Sequence, residues 1–294
     1  MPGHQTIDTL APAKLNLSLR VLARESTGFH QIETLFCALE LADEIAISPT
    51  SGGVSLAVEP PTDQPGPAPD LGPIDANLAY RAAALFLKEA PLDGGVHIRL
   101  VKRIPAGAGL GGGSSDAAAV LRALNELRSK PIPPRALLEL GSRLGSDVPF
   151  FITGAPLALA WGRGERIAPL PPLAPAPVVL AVPPERVVTA DAYAALAAEG
   201  APSPMVVDIP ASWSDVANLA HNDFEATVFS WHPRLGAVRA MLEDAGANIA
   251  RLTGTGSVVF GLFTDAADAA AAADRITDAY PDIDTIITQT RTMG

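Results

Sequence analysis

Cysteine, long apolar stretches and positive charge are all scarce in this sequence. The single cysteine, Cys37, allows no internal disulfide bond, and its apolar neighbours predict a buried strand residue. The spacing of cysteine and histidine matches no metal site. Prolines interrupt the apolar runs before they reach the roughly 18 residues of a membrane span, and the N-terminus lacks the features of a signal peptide. We therefore expect a cytoplasmic protein without a membrane partner.

The charge balance argues against a second class of partner. The chain has 21 basic and 32 acidic residues, which gives a formal net charge of −11. Such a surface does not attract nucleic acid. Any cations that bind phosphate must therefore be placed locally, and Lys102 and Arg103 form such a pair. With 294 residues, 48% of them hydrophobic, we expect one large or two medium domains.

The most informative segment is a glycine-rich stretch at 105–115. Five of the seven positions from Gly107 to Gly113 are glycine. An alternating apolar segment precedes the stretch and a helical pattern follows it. This context predicts a phosphate-binding loop, in which backbone N–H groups converge on an anion at a helix N-terminus.

Two better-known loops fit poorly. A Walker A loop needs a lysine after its last glycine, but here Ser114, Ser115 and Asp116 follow. The pattern G-x-G-x-x-G is formally present, yet a dinucleotide fold also needs a second strand ending in an acid about 20 residues later. Residues 130–134 read Lys-Pro-Ile-Pro-Pro, which cannot form a central strand. A dehydrogenase is therefore disfavoured.

The pattern of the remaining chain predicts an α+β protein. Residues 13–22 alternate and predict a strand with one buried face, which places Lys14 and Asn16 together on the other face. Residues 27–30 predict a turn, and 31–48 predict two further strands. Six prolines at 60–73 predict an extended surface loop, and a second proline-rich stretch at 169–177 is typical of a domain junction.

Helical spacing and capping residues predict most of the other elements. Residues 114–116 are good N-cap types for the helix that follows the glycine-rich stretch. We predict helices at 77–89, 114–130, 134–144, 191–198, 216–229 and 235–245, a late alanine-rich helix, strands at 96–101, 178–182, 257–263 and 285–290, and a turn at 254–256.

Three features could together serve phosphoryl transfer: the glycine-rich stretch with Lys102, Lys14 on a strand, and Asp147 after a helix. Transfer from ATP needs donors around the γ-phosphate, a cation, and a carboxylate that accepts the proton of the nucleophile. The residues alone do not place Lys14 near Asp147. Taken singly, Lys14 also fits a solvated strand lysine, and Asp147 fits a turn or helix cap.

Three segments resemble the GHMP kinase superfamily: residues 13–17, 105–115 and 251–257. The motifs at 27–30, 145–149 and 222–225 are similar to those of its members that phosphorylate the 2-hydroxyl of a cytidine-diphosphate-linked methylerythritol in non-mevalonate isoprenoid biosynthesis. The likeness covers about residues 9 to 265, with 60–73 as an unmatched insertion.

The resemblance implies a fold. It would combine an N-terminal domain like ribosomal protein S5 domain 2, at 1–165, with a ferredoxin-like C-terminal domain, at 166–294. The sequence does not give the oligomeric state, and a monomer or a homodimer is expected.

The resemblance also implies ATP and Mg²⁺ as cofactors and a set of site residues. Asp147 would act as the base, with Lys14 orienting the substrate hydroxyl. Ser115 is a candidate magnesium ligand. His30 would read the edge of the cytosine, and Tyr193 would form an aromatic wall. The ATP site would comprise Lys102, Pro105, Ala106, Gly107, Ala108, Gly109, Leu110, Gly111, Gly112, Gly113, Ser114 and Ser115, and the substrate site Asn16, Phe29, His30, Thr189 and Tyr193.

The chain departs from the family at one substrate position. The family often has tyrosine where Phe29 stands, and phenylalanine keeps the stacking face but loses the hydroxyl hydrogen bond. Two alternatives stay open: another GHMP kinase acting on a small alcohol such as homoserine or mevalonate, and a non-catalytic ATP-binding sensor of the same fold. Both Lys14 and Asp147 are present, which disfavours the sensor.

Overall fold

Strands and helices follow one another in an order close to that predicted. The computed structural model describes residues 6–26, 28–63, 66–67, 69–196 and 209–292. The described strands are β1 (Ile7–Arg24), β2 (His30–Thr50), β3 (Val54–Glu59), β4 (Gly95–Val101), β5 (Leu157–Gly162), β6 (Arg166–Pro169), β7 (Pro177–Val182), β8 (His221–Asn222), β9 (Ile249–Leu252), β10 (Val259–Leu262) and β11 (Asp284–Gln289). The described helices are α1 (Leu78–Glu89), α2 (Gly112–Glu126), α3 (Pro134–Leu144), α4 (Val148–Thr153), α5 (Thr189–Leu196), α6 (Trp213–Leu219), α7 (Glu225–Trp231), α8 (Pro233–Asp244) and α9 (Ala266–Ala279).

The chain divides into two compact units whose segments interleave along the sequence. The long strands β1 and β2 each contribute residues to both units. The predicted boundary between residues 165 and 166 stays a prediction. The first unit comprises the described residues of Met1–Ala13, Leu41–Ala106 and Gly111–Gly154, and the second those of Lys14–Glu40, Gly107–Leu110 and Ala155–Gly294.

In the first unit, helices pack beside the end of β2 and its neighbours. Glu44 of β2 pairs antiparallel with Val101 of β4, and β3 pairs parallel with β4. Helix α1 begins where Asn77 accepts a hydrogen bond from the Ala79 amide, as expected for an N-cap. Its buried positions lie on one face, and α1 packs against α2, which in turn packs against α4.

The second unit contains the beginning of β2 and a separate four-stranded sheet. Ile32 of β2 pairs with Gly162 of β5, and β1 makes a short parallel pairing with β8 at Ser18 and His221. The separate sheet is antiparallel, in the order β11-β7-β10-β9, and α8 and α9 pack against it. Its core is aliphatic and aromatic, with Phe224 and Phe263 fully buried.

The burial of β1 corrects one prediction. The alternation at 13–22 predicted one buried face, yet Lys14, Asn16 and Ser18 are 3%, 3% and 0% exposed. Lys14 and Asn16 have hydrogen-bond partners inside the protein, which offset their loss of water, whereas Oγ of Ser18 has none among the described residues. Cys37 is buried in β2 as predicted, and burial raises the pKa of its thiol to about 12.

The start of α2 corrects another prediction. Residues 114–116 do not cap the helix but lie inside it. The N-cap is Gly111, in the left-handed region at φ 73°, and it makes no side-chain capping bond. The serine and aspartate side chains therefore act elsewhere than at the helix start.

Three smaller differences concern element boundaries. Residues 31–48 form part of one long strand rather than two, and 216–229 is interrupted by β8 between α6 and α7. Strand β9 was not predicted, because four residues give too short a pattern to separate from a loop. The helix predicted at 191–198 corresponds to α5, and its last two positions lie outside the described residues.

Candidate active site

Positive backbone angles shape the glycine-rich stretch. Gly107, Gly109 and Gly111 have φ of 70°, 81° and 73°, a region that other residues rarely adopt. At Gly109, a Cβ atom would also lie 2.3 Å from the carbonyl oxygen of Thr253. Glycine is therefore required here both for the backbone angle and for the close approach of another chain segment.

Lys14 is joined to this stretch by two hydrogen bonds. Its Nζ donates to the carbonyl oxygen of Gly109 at 2.8 Å, and its backbone N–H donates to that of Leu110 at 2.9 Å. Nζ also donates to Oδ1 of Asn16 at 2.5 Å. The side chain is thus a buried, fixed ammonium rather than a solvated strand lysine.

Asn16 is oriented by contacts at both ends of its amide. Oδ1 accepts from Lys14, while Nδ2 donates to Oγ1 of Thr34 at 2.8 Å. Its backbone N–H donates to Oγ1 of Thr253 at 3.1 Å, and that hydroxyl also lies 3.3 Å from the carbonyl oxygen of Gly109. A connected polar network therefore fixes Lys14, Asn16 and Gly109 relative to one another.

The turn at 254–256 is held by the motif at 222–225. Nδ2 of Asn222 donates to the carbonyl oxygens of Leu252 and Gly254 at 2.7 and 2.9 Å. Nearby, Oγ1 of Thr189 is 3.1 Å from Oγ1 of Thr255. The predicted substrate residue Thr189 thus contacts the tip of this turn.

Asp147, in the first unit, immediately precedes helix α4. It lies at the N-cap position with φ −82° and ψ −16°, and its side chain is not hydrogen bonded to the helix start. The residue is half-buried. Helix capping, one of the two structural roles considered for Asp147, is therefore not its function.

Lys102 belongs to a buried ionic cluster, which we define as Lys102, Asp43 and Asp116. Its Nζ pairs with Oδ2 of Asp43 and, at 2.9 Å, with Oδ2 of Asp116. The three side chains are 6%, 0% and 3% exposed. The charge of Lys102 is therefore taken up by carboxylates of the protein, and its contribution to ATP binding stays a prediction.

The two acids of the buried ionic cluster differ in their other contacts. Oδ1 of Asp43 accepts the backbone N–H groups of Arg103 and Ile104 at 2.6 and 2.9 Å. Oδ1 of Asp116 is buried and has no partner among the described residues. Burial, with the Asp43 carboxylate adding to it, raises the pKa of Asp116 to about 8 against the opposing effect of Lys102.

A cluster of aromatic side chains, His30, Tyr193 and Phe224, lies elsewhere in the second unit. The rings of His30 and Tyr193 stack at 4.7 Å between centroids, and Tyr193 meets Phe224 edge-on at 4.8 Å. Burial lowers the pKa of His30, with a smaller contribution from Arg24, so the imidazole is neutral at pH 7. A neutral imidazole has one donor and one acceptor nitrogen, as the reading of a base edge requires.

Comparison with known proteins gives a consistent picture. The descriptions "GHMP kinases N terminal domain" and "GHMP kinases C terminal" match residues 77–155 and 207–282. The 4-diphosphocytidyl-2-C-methyl-D-erythritol kinase of Pelotomaculum thermopropionicum is 40% identical over 98% of both chains. The chain belongs to this family of GHMP kinases. The predicted family and two-domain GHMP kinase fold are confirmed.

Other GHMP kinases extend the comparison. The 4-diphosphocytidyl-2-C-methyl-D-erythritol kinase of Thermus thermophilus is 40% identical, covering 87% of each chain. The crystal structure of a 4-(cytidine 5'-diphospho)-2C-methyl-D-erythritol kinase superposes with a TM-score of 0.81 at 36% identity, covering 97% of this chain and 100% of the other. A homoserine kinase from Cytophaga hutchinsonii has a TM-score of 0.69 at 19% identity, with 98% and 95% covered, which shows the shared fold alone.

For this GHMP kinase, the sequence motifs indicate the candidate residues, whose roles stay predictions, but not several of their partners. Thr253 lies in the motif at 251–257 without an assigned role, and Thr34 gave no signal. Asp43 was detectable as an acid within the apolar run of β2. Arg163, between two glycines, was detectable as a turn residue.

Within the described part of the chain, none of the helices is long and apolar enough to cross a membrane.

Proposed function

We propose that the protein transfers the γ-phosphoryl group of ATP to the 2-hydroxyl of 4-diphosphocytidyl-2-C-methyl-D-erythritol. The observation that carries the proposal is the 40% identity, over 98% of both chains, to a kinase named for that substrate. The fixed Lys14–Asn16–Gly109 network supports it, because phosphoryl transfer depends on positioned donors and cations more than on covalent chemistry.

The proposed reaction uses groups of this chain at each step. Backbone N–H groups of 105–115 bind the phosphates of ATP, and Lys14 orients the acceptor hydroxyl. The bond from the γ-phosphorus to its bridging oxygen breaks while a bond to the 2-oxygen forms. Asp147 accepts the hydroxyl proton, and ADP leaves with the electron pair of the broken bond. Because the transition state is loose, Asp147 receives the proton late.

Ser115 is the residue that would hold a magnesium ion brought with ATP. Its Oγ is buried and has no hydrogen-bond partner among the described residues, so it is available as an oxygen ligand. Magnesium prefers oxygen ligands and is often held by one or two protein groups together with phosphate. A bound ion would neutralise part of the phosphate charge.

The remaining substrate contacts follow the family resemblance. His30 and Tyr193, which stack on each other, would bind the cytosine together with Phe29. We propose that the protein acts on these small molecules in the cytoplasm. We propose a monomer or homodimer with no nucleic-acid partner.

A coupled ADP-release assay tests the function directly. We expect turnover with 4-diphosphocytidyl-2-C-methyl-D-erythritol and none above background with homoserine or mevalonate. Turnover with one of these alcohols instead would assign the chain to another GHMP reaction. ATP binding without turnover of any alcohol would favour the sensor.

Asp147→Asn tests the proposed base. We expect a large fall in kcat, because the carboxylate positions the hydroxyl and takes its proton, with little change in the KM of the alcohol. Asp93→Asn, an exposed acid of the same unit, serves as the control and should keep wild-type turnover. A large rise in KM at unchanged kcat would contradict the role of Asp147.

A further inference from the structure

We propose that Arg163, held by Glu25, is a positioning residue that fixes the ring of Phe29 for stacking on the cytosine of the substrate. The inference rests on the proposed function, because it takes a cytidyl group as the ligand. It adds two residues for which neither the sequence motifs nor the family resemblance supplies a role.

Phe29 is an exposed ring with a cation stacked on it. More than half of its surface, 57%, is open to solvent, so Phe29 is not part of a core. The guanidinium carbon of Arg163 lies 4.1 Å from the ring centroid, within the range of a cation–π contact. Phenylalanine has no polar group of its own, so the orientation of an exposed ring must come from such a neighbour.

Glu25 ties together the cation and the turn that carries the ring. Its carboxylate accepts from Arg163 Nη2 at 2.6 Å and from Nε at 3.2 Å, a two-nitrogen contact that fixes the guanidinium plane. Its backbone N–H donates to the carbonyl oxygen of Phe29 at 2.7 Å, and its own carbonyl accepts from Gly28 at 2.9 Å. One residue therefore holds both the backbone of Phe29 and the group that stacks on its ring.

The turn between β5 and β6 is shaped to present Arg163. Arg163 is flanked by Gly162 and Gly164, whose φ angles of 77° and 109° are both in the region that favours glycine. The backbone N–H of Arg163 donates to Oε2 of Glu165 at 2.7 Å. In a chain with only 21 basic residues, an ordered cation at such a turn indicates a use beyond solubility.

A ring fixed in this way suits a flat heteroaromatic ligand. Stacking of a base on an aromatic side chain strengthens binding, and it is favoured when the ring is already ordered before binding. His30, the next residue in the chain, belongs to the stacked pair with Tyr193. Arg163 and Glu25 therefore orient an exposed ring that directly precedes a residue of this stacked pair in the chain.

The test is the inhibition constant of cytidine and of CDP, each measured against the phosphorylation of 4-diphosphocytidyl-2-C-methyl-D-erythritol. For Arg163→Met we expect both constants to rise by the same factor, about three- to fivefold, the equivalent of an exposed cation–π contact. The KM of ATP should not change. Glu25→Gln should shift both constants in the same direction by less.

A double variant distinguishes orientation of the Phe29 ring by Arg163 from a purely structural role of Arg163. In a Phe29→Leu background, Arg163→Met should cause no further loss of cytidine affinity, because there is no ring left to orient. Arg166→Met is the matched control: its side chain is 66% exposed and its nearest acid is 3.7 Å away. That variant should keep wild-type constants.

Two results would overturn the inference while leaving the proposed function intact. A loss for CDP without a loss for cytidine would make Arg163 a diphosphate contact. Wild-type constants for both ligands in Arg163→Met would leave it without a role in binding. If the wild-type protein is inhibited by neither ligand and does not phosphorylate the cytidyl alcohol, the proposed function fails and the inference fails with it.

Discussion

The buried ionic cluster around Lys102 and the exposed stack of Glu25, Arg163 and Phe29 use the same kinds of charge in opposite surroundings. In the cluster the Lys102 side chain is 6% exposed, whereas in the stack the Arg163 side chain is 40% exposed. Buried charges are not hydrated and therefore depend on their charged partners. Exposed charges are hydrated whether or not they are paired, so their ion pairs contribute little to stability. We therefore expect the first group to support the fold, and the second to be accessible to the proposed ligand.

Charge balance inside the buried cluster refines this comparison. One ammonium faces two carboxylates, which leaves an excess negative charge if both acids are ionised. Asp43 receives two backbone N–H groups, which stabilise its anion, whereas Asp116 keeps a buried oxygen without a described partner. The proton therefore belongs on Asp116, in agreement with its raised pKa.

The largest expected effect is that of Lys102→Met. Removing the only cation of the cluster leaves the buried Asp43 carboxylate without its counter-ion, and we expect the free energy of unfolding to fall by about 3–5 kcal/mol. Urea unfolding measures this change. Lys130→Met, at an exposed position, is the control and should change stability by less than about 0.5 kcal/mol. A similarly small change for Lys102→Met would mean that the cluster does not support the fold.

An intermediate, pH-dependent effect is expected for Asp116→Asn. The pKa of Asp116 is raised to about 8 in the folded protein, above its value in the unfolded chain. Between about pH 4 and pH 8 the folded state therefore holds a proton that the unfolded state has released, so wild-type stability falls as the pH rises. Asparagine does not titrate, so the free energy of unfolding of the variant should rise relative to that of the wild type as the pH increases.

Unfolding of both proteins at pH 5.5 and 7.5, without nucleotide or magnesium, measures this difference. One proton corresponds to at most about 1.4 kcal/mol per pH unit. The exposed variant Asp93→Asn should show no such trend. A stability difference between wild type and Asp116→Asn that stays constant with pH would place the proton elsewhere.

The smallest expected effect on stability is that of Arg163→Met. Because the ion pair with Glu25 is partly exposed, its loss should lower the free energy of unfolding far less than Lys102→Met does, and less still in high salt. Chemical denaturation at low and high salt measures this. A loss as large as that of Lys102→Met would erase the contrast between the two regions and assign Arg163 to the fold.

Most helices and several strands could be predicted from the sequence because their signals are local, whereas β3, β5 and β6 were not predicted. Phosphate binding by the glycine-rich stretch stays a prediction. Glycine clustering, alternation and helical spacing depend on neighbouring residues, and Asn77 caps α1 as its type indicates. Burial of the polar face of β1 was missed because it depends on partners far along the chain, such as Thr253 for Asn16. The capping role expected of residues 114–116 failed because Gly111 starts the helix instead.

The candidate site shows the same difference between features that local sequence signals indicate and features that depend on contacts between distant residues. Lys14 and Asp147 were singled out by resemblance, but the contacts that give Lys14 its fixed position involve a carbonyl 95 residues away. Lys102 was expected beside ATP, whereas its two acid partners could be identified only from the fold. Residue type thus indicates the chemistry, and only tertiary structure indicates whether a charge is available to a ligand.

The contact of Gly109 with the carbonyl of Thr253 has a consequence for how the protein meets its nucleotide. A methyl group at position 109 would collide with the polypeptide itself, whatever the ligand. The backbone conformation of this segment is therefore set by its contacts within the protein and does not depend on bound ATP. If this segment binds ATP as proposed, little conformational entropy is lost on binding, so more of the interaction energy appears as affinity for the triphosphate.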